Sequence, residues 1–272
     1  MRARLPRSLA TLLLLAAPLR AQASDTARTA APGLFTTRDA VIAGATVVGT
    51  LALIPLDRRI ATHVQRPSLQ HDATLRHLAT TARLAALPGT VIAAPVLWGV
   101  GRLTHHSRLA DLGLHAGEAI VVAEGAGLVI KGIAGRARPY VVGDTLPRSF
   151  RLGRGFRGDK YASFPSGHTL AGFAFAGAVT AETAHWWPRA TWYVAPLAYG
   201  SATLMGLSRV YHDEHWASDV ALGAGLGTLS GLLVVRYNHA QPRNAIDRWL
   251  LATTVTPTSD GGVVVAWRMS WR

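Results

Sequence analysis

Three stretches of this chain combine cations, histidines and a helix start in a way that could bind and cleave a phosphate group. The middle one is Tyr161-Ala162-Ser163-Phe164-Pro165-Ser166-Gly167-His168-Thr169. Pro165 ends an extended segment. Ser166 is a good N-cap for the apolar run through Leu170, Phe173, Phe175 and Val179. A Ser-Gly pair opening a helix turns backbone N–H groups outward at the positive end of the helix dipole, which favours an anion. Gly167 permits close approach, and His168 adds a titratable group beside it. Taken alone, Ser-Gly-His before a helix is more often an ordinary cap than a site, so its weight comes from the two flanks.

The first flank runs from Lys131 to Pro139. Lys131 and Arg138 are seven residues apart, which places them on one face of a helix that Pro139 is expected to stop. Read blandly, they are charges at a helix end. The second flank runs from Ser208 to Asp219. His215 and Asp219 are four apart, one turn of a starting helix, so the carboxylate is expected to fix the imidazole tautomer and support its cationic form. His212, Asp213, Glu214 and His215 could also suggest a metal site. Consecutive helical residues point in different directions, so none is expected here. Lys131, Arg138 and Arg209 together suit phosphate oxygens, which Arg grips as a fork and Lys as a point charge. Such preorganised charge favours a phosphoryl-transfer transition state. One histidine could attack phosphorus while the other protonates the leaving oxygen.

In order and spacing, Lys131–Pro139, Pro165–His168 and Ser208–Asp219 resemble the signature of the type 2 phosphatidic acid phosphatase and vanadium haloperoxidase superfamily. That signature is Lys-x6-Arg-Pro, Pro-Ser-Gly-His and Ser-Arg-x5-His-x3-Asp, and every position is filled. The likeness covers roughly residues 84–236. It implies a helical bundle, no metal or cofactor, and a phosphohistidine intermediate. Carried over by position, it implies His215 as nucleophile, Asp219 as its partner and His168 as general acid. It likewise implies a phosphate cradle of Lys131, Arg138, Ser166, Gly167 and Arg209.

The elements that must hold these residues read as all-α. Six apolar segments lie near 39–56, 84–100, 114–134, 168–187, 191–207 and 217–235. Each is close to the roughly 20 residues a bilayer span needs, and their Ala, Gly, Val and Leu content favours close helix packing. Glu118, Glu124 and Glu182 interrupt them and are tolerable in a membrane only if they face the bundle interior. The same segments could instead be core helices of a secreted domain. Residues 57–83, with five arginines, read as amphipathic helix outside the hydrocarbon. The loop 140–163 carries Arg148, Arg151, Arg154, Arg157 and Lys160, and is expected either to be a solvated basic loop or to clamp an anionic head group.

Beyond the core, residues 1–23 read as a secretory signal: basic Arg2, Arg4 and Arg7, a short apolar stretch, then Ala21-Gln22-Ala23. Residues 24–38 form a flexible leader, 39–240 the helical domain and 241–272 a tail. In the tail, the alternation from Val263 to Trp271 after Asp260-Gly261-Gly262 predicts a β-hairpin with Leu250–Thr256. The chain has no cysteine, and 28 basic against 15 acidic residues give a net charge of +13. Such a balance suits an anionic partner. No nucleic-acid motif is present, and the 49% apolar content points to membrane and lipid.

The resulting expectation is a metal-independent phosphatase in a bacterial-type cell envelope, membrane-bound with an outward-facing site. Its substrate would be a phosphorylated lipid or a small phosphoester. A soluble periplasmic acid phosphatase and a non-catalytic anion-binding envelope protein fit the same features less fully. A haloperoxidase shares the cradle but usually has a much larger chain.

Overall fold

The computed structural model describes residues 33–242, 244–250, 253–257 and 263–267. The signal reading of 1–23 and the first part of the leader lie outside the described residues. The helices are α1 (Thr37–Leu53), α2 (Asp57–Val64), α3 (Pro67–Gln70), α4 (Ala73–Leu103), α5 (Ser107–Ala134), α6 (Gly167–Trp186), α7 (Thr191–Tyr211), α8 (Ala217–Ala240) and α9 (Ala245–Leu250). Strands β1 (Thr253–Pro257) and β2 (Val263–Trp267) pair antiparallel, with Thr253 opposite Trp267 and Pro257 opposite Val263. This is the all-α bundle with a short terminal β pair that the sequence predicts.

Six long helices match the six apolar segments, with different ends. The second segment extends to a 31-residue α4, so residues 73–83 belong to a long helix and not to the amphipathic stretch outside it. Only α2 and α3 remain as short connecting turns. By length and composition, Thr37–Val64, Ser107–Val141 and Ala217–Ala240 can each cross a membrane. Ala73–Leu84 with Gly89–Leu103, bent by 45°, makes a possible fourth. The apolar faces of α1, α5 and α7 are left uncovered: Val48 is 67% exposed, Val121 73% and Trp192 82%. Exposed apolar surface on this scale is that of a lipid-facing protein, not of a secreted globule.

Small residues let the helices approach closely. The buried core is mainly alanine: Ala94, Ala116, Ala119, Ala123, Ala171, Ala174 and Ala178, with Ile120, Leu170 and Val235. On α8, Gly227 and Gly231 lie against α6. A Cβ on Gly227 would stand 2.5 Å from the Leu170 carbonyl oxygen, and one on Gly231 2.5 Å from that of Ala174. The three carboxylates inside the apolar segments all meet polar partners or, for Glu124, a polar cavity. Glu118 accepts from Asn238 at 2.5 Å, and Glu182 lies between His115 and His239.

The direction of each helix follows from its end contacts. A capping box opens α1, with Thr36 N–H donating to Asp39 Oδ2 at 2.7 Å. Arg236, late in α8, pairs with the same carboxylate at 2.5 Å. At the other end of α1, Asp57 accepts from the Ser218 N–H at 2.9 Å and its hydroxyl at 2.5 Å, at the start of α8. The two helices are therefore antiparallel. Gln65 and Gln70 each donate to the Tyr211 carbonyl at 3.1 Å, bringing the α2–α3 connection to the end of α7. The end of α1, the start of α4, the ends of α5 and α7, and the starts of α6 and α8 thus share one end of the bundle.

Candidate active site

That shared end holds a cavity of about 340 Å³. Lys131, Arg138 and Arg209 line it, with Gly167, His168 and His215 and the carboxylates Glu124, Asp159 and Glu214. All three sequence stretches therefore meet in one place. Ser166 and Asp219 do not line the cavity; both are fully buried behind its wall.

Two local expectations change. Helix α5 stops at Ala134, capped by Gly135 in the left-handed region at φ 55°, so Lys131 and Arg138 are not on one helical face. The glycine is required there, since a Cβ would sit 2.0 Å from the Arg151 carbonyl oxygen. Arg138 instead follows with extended backbone, and its N–H donates to the Lys160 carbonyl at 3.0 Å. Similarly, α8 begins at Ala217 with Trp216 as its N-cap, so His215 precedes the helix. Its Nδ1 lies 2.8 Å from the Ser163 carbonyl oxygen and 3.7 Å from Asp219 Oδ2. The expected direct carboxylate–imidazole bond is thus replaced by one to the backbone, because 3.7 Å exceeds hydrogen-bond reach.

This contact defines the His215 tautomer. A carbonyl can only accept, so Nδ1 carries the proton and Nε2 keeps its lone pair. His215 is 2% exposed. Burial pushes its imidazole below the ordinary range, outweighing the upward pull of the Asp219 carboxylate nearby.

Asp219 acts one step back. Its Oδ2 accepts from Ser163 Oγ at 2.5 Å and from the Trp216 N–H at 2.9 Å, while Oδ1 accepts from Arg136. It therefore holds both the residue whose carbonyl orients His215 and the backbone just after His215. Arg136 is completely buried and bridges Asp219 to Asp57, 2.6 Å away, with further bonds to Ser218 Oγ at 2.7 Å and the Pro147 carbonyl. Its guanidinium also lies 4.8 Å from the Phe150 ring centre and 5.3 Å from that of Trp216. Sequence reading gave Arg136 no role although it lies inside the first stretch. Asp57 carries no local signal; 79 residues separate it from Arg136.

The α6 start supplies the close approach expected of Gly167. A Cβ there would be 2.7 Å from Lys131 Nζ, so the ammonium lies against the helix start. Ser166 is the N-cap residue, but its hydroxyl accepts from Thr169 Oγ1 at 2.9 Å and makes no cap bond. On the opposite wall, Arg138 donates to Asp159 Oδ1 at 2.7 Å and to Glu214, whose carboxylate is also 3.7 Å from Arg209. Glu214 therefore partly neutralises two arginines that an incoming anion would claim. Among the described residues, Arg209 Nε has no hydrogen-bond partner.

In the basic loop Arg148, Arg151, Arg157 and Lys160 are exposed, as a solvated loop would have them. None of Arg148, Arg151, Arg154, Arg157 and Lys160 lines the cavity that holds His168 and His215. Arg154 is a brace, donating to the Gly135 carbonyl at 2.8 and 3.0 Å and to that of Ser149. Arg148, Arg151 and Arg154 border a separate cavity of about 660 Å³ with Ile54, Leu146 and Phe150.

The sequence model of the PAP2 superfamily matches residues 112–243, spanning all three stretches. Over those residues the chain is similar to that superfamily. A 71-residue segment, 26% of this chain, is 42% identical to lipid A 1-phosphatase of Porphyromonas gingivalis and spans 15% of that protein's length. Among solved structures, the fold is similar to the first transmembrane PAP2 type phosphatidylglycerolphosphate phosphatase from Bacillus subtilis. The TM-score is 0.56 and the identity 21%, over 76% of this chain and 99% of that one.

Proposed function

We propose that this membrane protein is a metal-independent lipid phosphatase working through a phosphohistidine. The observation that carries the reading is the 2.8 Å contact from His215 Nδ1 to the Ser163 carbonyl, which leaves Nε2 as a lone pair in a cavity lined by three cations. In this reading Lys131, Arg138 and Arg209 hold the phosphate oxygens, displacing Glu214. Nε2 of His215 attacks phosphorus as the bond to the leaving oxygen breaks; His168, whose imidazole is held down to about 3 by burial and the neighbouring cations, takes up a proton from solvent once bound phosphate neutralises those cations, and gives it to that oxygen. Neutral His168 then takes a proton from water, whose oxygen attacks the phosphohistidine and releases inorganic phosphate, restoring both rings. Asp219, Arg136 and Asp57 keep His215 in place.

The lipid substrate class rests on the exposed apolar helix faces and on the similarity to lipid A 1-phosphatase. Phosphatidic acid, phosphatidylglycerol phosphate and polyprenyl pyrophosphate present the required phosphomonoester or diphosphate at a membrane surface. The same exposed faces speak against a soluble acid phosphatase. We further propose that the site faces outward from the inner membrane.

The test is phosphate release by the full chain in mixed micelles, with each lipid and with EDTA present. Hydrolysis of at least one lipid, undiminished by chelation, is expected. Activity lost to EDTA with no fall in the thermal midpoint, and restored by magnesium or zinc, would refute metal independence. Hydrolysis only of small soluble phosphoesters would refute the lipid assignment.

A further inference from the structure

At the end of the bundle away from the cavity lies a second cluster of titratable groups that the phosphatase reading does not use. His115 comes from the first half of α5, Glu182 from the end of α6 and His239 from the end of α8. Their candidate ligand atoms all lie within 4.8 Å of one another. His115 Nδ1 is 2.5 Å from Glu182 Oε1, and His239 Nε2 is 3.0 and 3.1 Å from the two carboxylate oxygens. Sixteen residues of α5 separate His115 from Lys131, about 24 Å of helix at about 1.5 Å per residue.

We infer that His115, Glu182 and His239 form a binding site for one divalent transition-metal ion of the zinc class. The inference does not rest on the proposed phosphatase activity. Three features carry it. First, the donor set is two imidazole nitrogens and one carboxylate oxygen, the combination that zinc and its neighbours prefer over magnesium or calcium. Second, the carboxylate is already aimed: Trp186 Nε1 donates to Glu182 Oε2 at 2.9 Å, and the His185 ring packs on His239 with centroids 4.1 Å apart. Metal-binding side chains are held by such outer contacts. Third, Glu182 is wholly buried. A divalent ion bound to all three donors would compensate that buried carboxylate.

The required movement is small. Donors on a tetrahedral ion with bonds of about 2.0–2.1 Å stand about 3.3 Å apart. The imidazole–carboxylate separations of 2.5 to 3.1 Å need to open by less than an ångström, and the two imidazole nitrogens, within 4.8 Å of each other, need to close by no more than about 1.5 Å. A fourth position would be filled by water. Since the three ligands come from three helices, the ion would tie α5, α6 and α8 together at the end opposite the chemistry.

The test uses untagged full-length protein in detergent, stripped with EDTA and then freed of chelator. Zn²⁺ uptake is measured by calorimetry, Co²⁺ uptake by visible absorption and thermal unfolding with and without Zn²⁺. The parent should bind one equivalent, show the absorption of imidazole-bound Co²⁺ and melt several degrees higher with Zn²⁺. His239→Gln keeps an N–H able to reach Glu182 but offers a poor zinc ligand, and His115→Gln does the same on α5. Both should lose the equivalent and the thermal shift. No uptake by the parent overturns the inference, whatever the variants do. Equal uptake by parent and both variants also overturns it, since the ion then sits elsewhere. Neither result bears on phosphatase turnover.

Discussion

His215 and His168 share one cavity but are held differently. The first is clamped through Nδ1 to a backbone carbonyl, and the second projects from the first turn of α6. The proposed roles follow this difference: a nucleophile needs a fixed lone pair, while a proton donor needs reach to the leaving oxygen. A substrate with a very good leaving group needs little protonation. His168→Ala should therefore lose about 10²–10⁴-fold on an alkyl or lipid phosphate but much less on a nitrophenyl phosphate. Steady-state rates on the two substrates check this. Equal losses on both would remove His168 from the acid role. Lys131, His168, Arg209 and His215 were legible because their types and spacing, with Gly132 and Gly167 beside the first two, are unusual in an apolar chain. Asp57, Arg136 and the Ser163 carbonyl were not, because their roles depend on which helix ends meet. The backbone clamp on His215 was illegible for a further reason: a carbonyl has no sequence identity.

At the scale of elements, α6 carries the site's helix start and is positioned chiefly by α8. Their approach depends on Gly223, Gly227 and Gly231, where a Cβ would stand 2.8, 2.5 and 2.5 Å from the carbonyl oxygens of Ser166, the N-cap of α6, and of Leu170 and Ala174 within it. Small residues every fourth position are how membrane helices reach such proximity. Gly227→Leu should force α8 off α6, cutting the thermal midpoint sharply and activity with it. Gly49→Leu, at a position with open space around the added carbon, should be near-neutral in the same thermal assay. Matching effects would show that the glycine stripe does not set the packing. The six apolar segments made the number of long helices legible. Their ends were less so: Gly135 stops α5 four residues before Pro139, and α4 runs through what reads as an amphipathic stretch. In the first case a left-handed cap ends the helix before the proline can; in the second, hydropathy alone does not locate the helix start.

For the whole molecule, the capped start of α1 and the cavity lie at opposite ends of the bundle. Asp39 meets Arg236 at one end, and Asp57 meets Ser218 at the other. If α1 crosses the bilayer, Phe35 and the 142–150 loop lie on opposite sides. An outward-facing cavity then requires an inward start to α1, which a signal cleaved after Ala23 would not give. The absence of cysteine makes this easy to check. Single substitutions at the exposed Phe35 and Leu146 should label from opposite faces with an impermeant thiol reagent. Only Leu146→Cys should react from outside. Labelling of both from one side would mean that α1 does not span, and outside labelling of Phe35→Cys alone would turn the site inward.

The central claim is that His215 Nε2 forms a covalent bond to phosphorus. It is tested most directly by mixing the parent protein with a radiolabelled lipid phosphate, quenching within milliseconds and measuring label on protein. An acid-labile, base-stable phosphoprotein should be trapped in the parent and absent in His215→Ala, while His168→Ala still accumulates it from a substrate with a good leaving group. Label trapped at parent levels in His215→Ala would contradict the account and make His168 the nucleophile to test next.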